Sequence, residues 1–296
     1  MRQISQMLRS AWTRLFAKAA ATPLLYTIDA LSRFVIGRPT RLLDPGGFSF
    51  RDSRKRERVD AAAFAPDPRL AVILTFGQSQ MANEGASDGL FVPKSGVFNF
   101  NWLDGHCYVA RDPLLGTTMD RSNFTTRLAD HLVRSGVYDR VLLVPIAHGG
   151  TMISQWVPGS EMFRRISVAL HGLNKHSIVI THALWQQGES DAGKTSTDDW
   201  IIRFDAMVSA LRLAGMSAPI FVAQSTRCAS PPNETIRAAQ RAVVDPSKNI
   251  LPGPDTDAMG SEYRWDDCHY SAEGLSLAAE GWFQAITNVP KGLLLN

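Results

Sequence analysis

Apolar residues gather in short runs along the chain. The runs are Leu70–Phe76, Val141–Ile146, Ile178–Leu184, Ile220–Ala223 and a briefer pair, Ile250 and Leu251. They are rich in Val, Ile and Leu, do not alternate with polar residues and are short. That is the pattern of strands buried on both faces. Between the runs the period lengthens to that of a helix. Phe124–Arg134 carries Leu128, Leu132 and Val133 on one side, and Trp200–Leu213 carries a stripe of Ile201, Phe204, Met207, Val208 and Leu211. Asn233–Val244 and Ser271–Ile286 follow. Each helix opens on a capping residue: Ser122 or Asn123, Asp198, Asn233 and Ser271. Strands alternating with helices predict an α/β fold, a mostly parallel sheet of about five strands covered on both faces. Ligands of such sheets sit at the carboxyl ends of the strands.

Two stretches stand outside this rhythm. Residues 82–120 are rich in Gly, Asn, Asp and Pro, with Phe91, Phe98, Phe100, Trp102 and Tyr108 scattered among them. The stretch is long for a plain connection and is expected to be a loop insertion over the site. Residues 51–59 form a charge run that marks a boundary. The expected division is a basic, partly helical N-terminal extension over 1–59 and a single α/β domain over 60–296.

Charge sharpens that division. The formal net charge of +3 combines a surplus of +8 in residues 1–59 (12 Lys and Arg, 4 Asp and Glu) with −5 in the rest (19 against 24). Residues 5–36 have amphipathic helical character, interrupted at Pro23. The arm reads either as a solvated extension or as a peripheral contact with anionic lipid. The uncharged stretch Ala19–Ile28 is too short to span a bilayer, and its charged flanks do not suit a secretory signal. A cytoplasmic or peripheral-membrane location is expected. The charge surplus comes with no recognition motif for nucleic acid. Three cysteines are too few for a disulfide scaffold. Cys228 and Cys268 fall at the same sheet edge in this fold, and a pair or two free thiols are equally compatible with the sequence.

Chemistry-bearing residues cluster just past the strand runs. Ser79 follows Gly77 at a strand-to-helix turn, where the first N–H groups of the helix favour negative charge. A serine needs a base to become a nucleophile. His269 is the candidate, with Asp266 three residues earlier to fix its tautomer. Asp267 competes as partner, but the i,i+3 spacing favours Asp266. Oxyanion donors are offered by the Ser79 N–H, the Gly149-Gly150 pair and the Gln187 side-chain amide. Each piece alone has a plain structural alternative: a turn serine, a surface ion pair, a Gly-Gly turn, a loop-capping glutamine. The other histidines lack the spacing of a three-ligand zinc site, and no glycine loop for phosphate is evident. Neither a metal nor a cofactor is expected.

Four blocks in order carry a resemblance. They are Gly77-Gln78-Ser79-Gln80-Met81, Gly149-Gly150-Thr151, Trp185-Gln186-Gln187-Gly188-Glu189-Ser190-Asp191 and Asp266-Asp267-Cys268-His269-Tyr270. Over roughly residues 69–288 the chain resembles the SGNH/GDSL hydrolase superfamily. Within it, the blocks are similar to the sialate O-acetylesterase branch that includes carbohydrate esterase family six. The resemblance implies a flavodoxin-like three-layer α/β/α sandwich and metal-free Ser79–His269–Asp266 chemistry. It assigns the oxyanion donors to the Ser79 N–H, a glycine of the Gly149-Gly150 pair and Gln187. Two positions depart from the family pattern: Gln80 stands for the usual Asn and Gln186 for the usual His. Glu189 and Asp191 are read as supports of the third block. Gln80, Asn83, Trp156 and Tyr270 are the candidate substrate contacts, along with the aromatic loop.

The function expected from these residues is a serine esterase that removes O-acetyl groups from carbohydrate, either acetylated polysaccharide or sialic acid. The alternatives are a lipid or thioester hydrolase of the same superfamily and a non-catalytic glycan-binding module. The sequence leaves the oligomeric state open.

Overall fold

A computed structural model describes residues 50–86 and 89–289. The helical reading of residues 5–36 lies outside them. Eight strands form one sheet: β1 (Arg58–Val59), β2 (Leu70–Gly77), β3 (Val97–Asn101), β4 (His106–Val109), β5 (Arg140–Pro145), β6 (His182–Gln186), β7 (Ile220–Gln224) and β8 (Ile250–Asp255). Their order is β1-β4-β3-β5-β2-β6-β7-β8. Six neighbouring strands, β3-β5-β2-β6-β7-β8, run parallel, and the last five of them, β5-β2-β6-β7-β8, are the strands read from the sequence. This second-first-third-fourth-fifth order is the flavodoxin-like arrangement, whose switch point lies beside its first strand. Here that strand is β2, and it leads directly to Ser79.

Every residue of β2 is buried, and its two faces feed two cores. Leu70, Val72, Leu74 and Phe76 pack with Leu142, Val144 and Trp185 on one side. Ala71 and Ile73 pack with Val141, Leu143 and Leu184 on the other. The period of two is thus preserved although both faces are dry. Helices α2 (Glu161–Asn174), α3 (Thr197–Leu213) and α4 (Glu234–Ala242) cover the first face through Ile166, Phe204 and Ile236. Helices α1 (Phe124–Arg134) and α5 (Ala272–Thr287) cover the second through Leu128, Leu275 and Trp282. The result is the three-layer sandwich expected from the sequence.

Several boundaries differ from the sequence reading. The stretch 82–120 is not wholly a loop. It contributes the hairpin β3–β4, which joins the sheet through parallel pairing of β3 with β5. Phe100, Trp102 and Tyr108 are buried, so these aromatics serve packing and not the surface. Pairing of β6 with β2 begins at His182, opposite Ile73. Ile178 and Ile180 are buried but lead into the ladder without joining it. Helix α3 is capped by Ser196, which accepts from the Asp199 N–H, and not by Asp198. Helix α2 has no counterpart in the sequence reading. The edge strand β1 pairs with β4, so the last residues of the charge run belong to the sheet. Cys228 and Cys268 are joined as a disulfide, and Cys107 is a buried free thiol.

Candidate active site

The carboxyl end of β2 is shaped by a close approach. Gly77 has φ +127°, and a Cβ there would sit 2.0 Å from the Gln186 carbonyl oxygen. Only glycine fits that conformation and that gap. The Gln78 N–H then donates to the same carbonyl, at 3.0 Å. Ser79 opens a single 3-10 turn, Ser79–Met81, and is 5% exposed. As the first residue of a helical turn, its N–H has no acceptor within that turn.

The third block clamps this turn. Gln78 Oε1 accepts from the N–H groups of Gly188 and Ser190, at 3.3 and 3.1 Å. Gln187 is fully buried. Its Nε2 faces Asp191 Oδ2 at 2.5 Å, the Thr151 carbonyl at 3.1 Å and Gln78 Oε1 at 3.3 Å. Its Oε1 accepts from Trp200 Nε1. The amide hydrogens are therefore spent on scaffold acceptors. Asp191 also accepts from the Ile153 N–H and from the Thr195 hydroxyl, a structural role.

The second block divides its glycines. The Gly149 N–H donates to Thr118 Oγ1 at 3.0 Å. Among the described residues no hydrogen bond engages the Gly150 N–H, and Gly150 takes φ +72°. Of the pair, Gly150 is the donor left open.

The last block holds an acid and a histidine in register. Asp266 Oδ1 accepts from the N–H groups of Cys268 and His269, at 3.0 and 2.6 Å. Oδ2 accepts from His269 Nδ1 at 2.7 Å. Asp267 adopts φ +62°, and its carbonyl instead accepts from the Ala229 N–H. The Cys228–Cys268 disulfide pins the same loop. Burial disfavours the charged Asp266, but hydrogen bonds from His269 and the backbone outweigh it and hold the carboxyl below its usual range. Burial likewise opposes a charged His269. The hydrogen bonds and charges of Glu84 and Asp266 outweigh it and raise the imidazole above its usual value.

The nucleophile turn and the histidine loop adjoin. Gln80 Nε2 donates to the Cys268 carbonyl at 2.6 Å, and Arg264 Nη1 donates to the same oxygen at 2.5 Å. Among the described residues no hydrogen bond links the Ser79 hydroxyl to His269. The imidazole Nε2 instead meets Glu84 Oε2 at 2.9 Å.

The four candidate substrate contacts all prove internal. Gln80 and Asn83 are 3% and 0% exposed. Asn83 is consumed by the Leu114 N–H and by the carbonyls of Leu114 and Met119. Trp156 lies in the core against Phe76 and Trp185, with Nε1 on Thr151 Oγ1. Tyr270 is buried, and its hydroxyl accepts from Gln186 Nε2 at 2.7 Å. These side chains hold the loops because each is enclosed and hydrogen-bonded, so none can face a sugar. Gln186 also accepts from Trp282 Nε1, so the residue that departs from the family pattern supports the histidine segment.

Three residues near His269 were not legible as site residues. Glu84 meets the imidazole itself. Trp265 is 45% exposed, its ring 6.3 Å from that of His269. The guanidinium of Arg121 lies 4.6 Å over the Trp265 ring. Glu189 is half-buried as a residue. Its Oε1 accepts from Ser225 at 2.6 Å, while Oε2 is enclosed without a partner. Burial pushes its carboxyl up to about 7. Among the described residues no cluster of three or more His, Cys, Asp or Glu side chains is arranged to hold a metal.

A mostly parallel α/β/α sandwich carries an Asp–His pair beside a serine turn at its strand ends. Residues 69–287 match the family model for carbohydrate esterase, sialic acid-specific acetylesterase, and the chain belongs to that family. It is a carboxylic ester hydrolase by family. No curated relative matches the sequence. Among solved structures, a protein of Arabidopsis thaliana is similar over 75% of this chain and 99% of its own, with 21% identity and a TM-score of 0.63. A carbohydrate acetylesterase from Xanthomonas citri is similar over 75% of this chain and 57% of its own, with 18% identity and a TM-score of 0.54. NanS is similar over 75% and 97%, with 16% identity and a TM-score of 0.50. At these identities the likeness is one of fold. No helix among the described residues is long and apolar enough to cross a membrane.

Proposed function

We propose that the protein is a serine esterase that removes O-acetyl groups from carbohydrate, polysaccharide or sialic acid, through an acyl-enzyme. The observation that carries this reading is the Asp266–His269 pair, held next to the Ser79 turn by the Gln80–Cys268 hydrogen bond. With Nδ1–H on Asp266, the neutral ring presents Nε2 as a base.

In this mechanism Ser79 Oγ attacks the acetyl carbonyl and its proton passes to His269 Nε2. The carbonyl oxygen becomes an oxyanion, for which the Ser79 and Gly150 N–H groups are the available donors. The C–O bond to the sugar breaks, and the imidazolium returns the proton to the leaving hydroxyl oxygen. Water then repeats the sequence on the acetyl-serine, releasing acetate and restoring Ser79. Gln187 supports the donors from behind, since its own amide is committed to Asp191 and Thr151.

The test is labelling by a fluorophosphonate together with acetate release from acetylated sugars. Wild type is expected to label at Ser79 and to release acetate. Ser79→Ala is expected to lose both while unfolding at the wild-type temperature. Retained turnover in Ser79→Ala would assign the chemistry to another nucleophile.

A further inference from the structure

The Glu84 carboxylate stands between the His269 ring and Gly149. The Glu84 backbone is fixed on both sides. Asn83 is fully buried and bonded to Leu114 and Met119, and Gly85 exchanges both hydrogen bonds with Ser122, at 3.0 Å each. The Glu84 carbonyl accepts from Trp265 Nε1 at 3.1 Å. The point from which the side chain projects is therefore set by the fold.

The carboxylate bridges two parts of the proposed site. Oε2 lies 2.9 Å from His269 Nε2, and the two side chains are only 15% and 19% exposed. Oε1 packs against Gly149, so closely that a Cβ there would stand 2.2 Å from it. The carboxylate thus fills the gap between the base nitrogen and the glycine pair that offers an oxyanion donor. An ester carbonyl bound for Ser79 must displace it. On displacement the carboxylate gives up a charge-assisted hydrogen bond to the ring. Displaced, it still hangs from the anchored Asn83–Gly85 backbone, beside the ring that must serve the leaving alcohol. There it needs a replacement donor, because a partly buried carboxylate without one is costly.

A sugar with a free hydroxyl next to the acetylated one supplies that donor. A fully acetylated sugar or an aryl acetate does not. We propose that Glu84 is a specificity-determining residue, selecting partially acetylated sugars that carry a free hydroxyl beside the ester. This rests on the esterase reading above and narrows its substrate.

The experiment compares kcat/KM for a methyl pyranoside monoacetate, the same sugar fully acetylated and phenyl acetate. The enzymes are wild type, Glu84→Ala and the nearly isosteric Glu84→Gln, each checked by thermal unfolding. Wild type is expected to favour the monoacetate over the fully acetylated sugar by at least about tenfold, the scale of one hydrogen bond to a charged group. Glu84→Ala is expected to raise the rates on the two substrates lacking a hydroxyl and to collapse the ratio. Glu84→Gln keeps the shape, loses the charge and is expected to fall between, so it carries the test if the alanine variant does not fold. A ratio unchanged in both variants, or an equal fall on all three substrates, would overturn the assignment while Ser79 still labels. No labelling and no acetate from wild type would instead remove the esterase reading, and this inference with it.

Discussion

Gln80 Nε2 lies 2.6 Å from the carbonyl oxygen of Cys268, and this bond couples the residue after Ser79 to the residue before His269. The two loops are remote in sequence and bear opposite halves of the proposed proton transfer. Arg264 shares the same carbonyl, so the oxygen stays satisfied without Gln80. What Gln80 adds is the distance between the two loops.

Replacing Gln80 with leucine is accordingly expected to cost about 1–2 kcal/mol of stability, the scale of one buried hydrogen bond. The effect on turnover is expected to be larger, about 10- to 100-fold in kcat, because small misplacements of a base are expensive. KM is expected to change little. Steady-state kinetics alongside urea unfolding would separate the two effects. A kcat loss no larger than the change in folded population would show that the tie is structural only.

The pH dependence follows from the pair and from Glu84. His269 is raised above 6.5 in spite of burial, because Glu84 and Asp266 favour the charged ring. The proposed base must be neutral, so the acidic limb of kcat/KM is expected above 6.5. Glu84→Gln removes one of the two favourable charges and is expected to move that limb down. Linkage gives the matching signs for stability. The His269 contribution is complete below 6.5 and fades as pH rises through the raised folded value. The Asp266 contribution is present above 3.8 and is lost as pH falls through the depressed folded value. A pH–rate profile with wild-type and Glu84→Gln enzyme checks the first claim; a limb that stays in place refutes it.

The Cys228–Cys268 disulfide closes a separation of 40 residues immediately before His269. A loop of that size constrains the unfolded chain by about 4 kcal/mol in the chain-entropy account. Replacing both cysteines with serine is expected to lower the unfolding free energy by about 2–4 kcal/mol. Activity is expected to fall with it, because the bridge ends on Cys268 and pins the loop that carries His269. Denaturant unfolding of the double variant measures the first, and acetate release measures the second.

The sequence made the framework legible because its strands and helices have distinct periods. The five core strands and four of the helices follow from that contrast. Helix α2 escaped because its inward stripe is blurred: Arg165 is buried there, paired with Glu161, and Ala169 and Gly172 are small. The β3–β4 hairpin escaped because buried Asn99 and Asn101 read as loop residues, yet they bond Leu115 and Asp104. At the site, motif order brought Ser79, Asp266 and His269 forward. It did not reveal which polar residues face inward, so Gln80, Asn83, Trp156 and Tyr270 read as sugar contacts. Glu84 and Trp265 belong to no motif block. They become neighbours only through a contact spanning 181 residues of sequence, which no local pattern encodes.

Gly77 offers a test of why the nucleophile turn begins where it does. Two constraints meet there: φ of +127° and a Gln186 carbonyl only 2.0 Å from any added Cβ. The carbonyl is fixed, because it accepts from the Gln78 N–H and belongs to β6, which pairs with β2. Gly105, at the turn of the β3–β4 hairpin, shares the first constraint alone, with φ +73° and nothing within 4 Å of an added Cβ. Gly105→Ala is therefore expected to cost about 1–2 kcal/mol, the left-handed penalty by itself. Gly77→Ala is expected to cost at least about 3 kcal/mol, because β2 and β6 must separate beside Ser79, and to abolish activity in whatever fraction folds. Urea unfolding of the two variants side by side decides the matter. Equal losses would mean that backbone conformation, and not the close packing of β6, is what demands a glycine ahead of the serine.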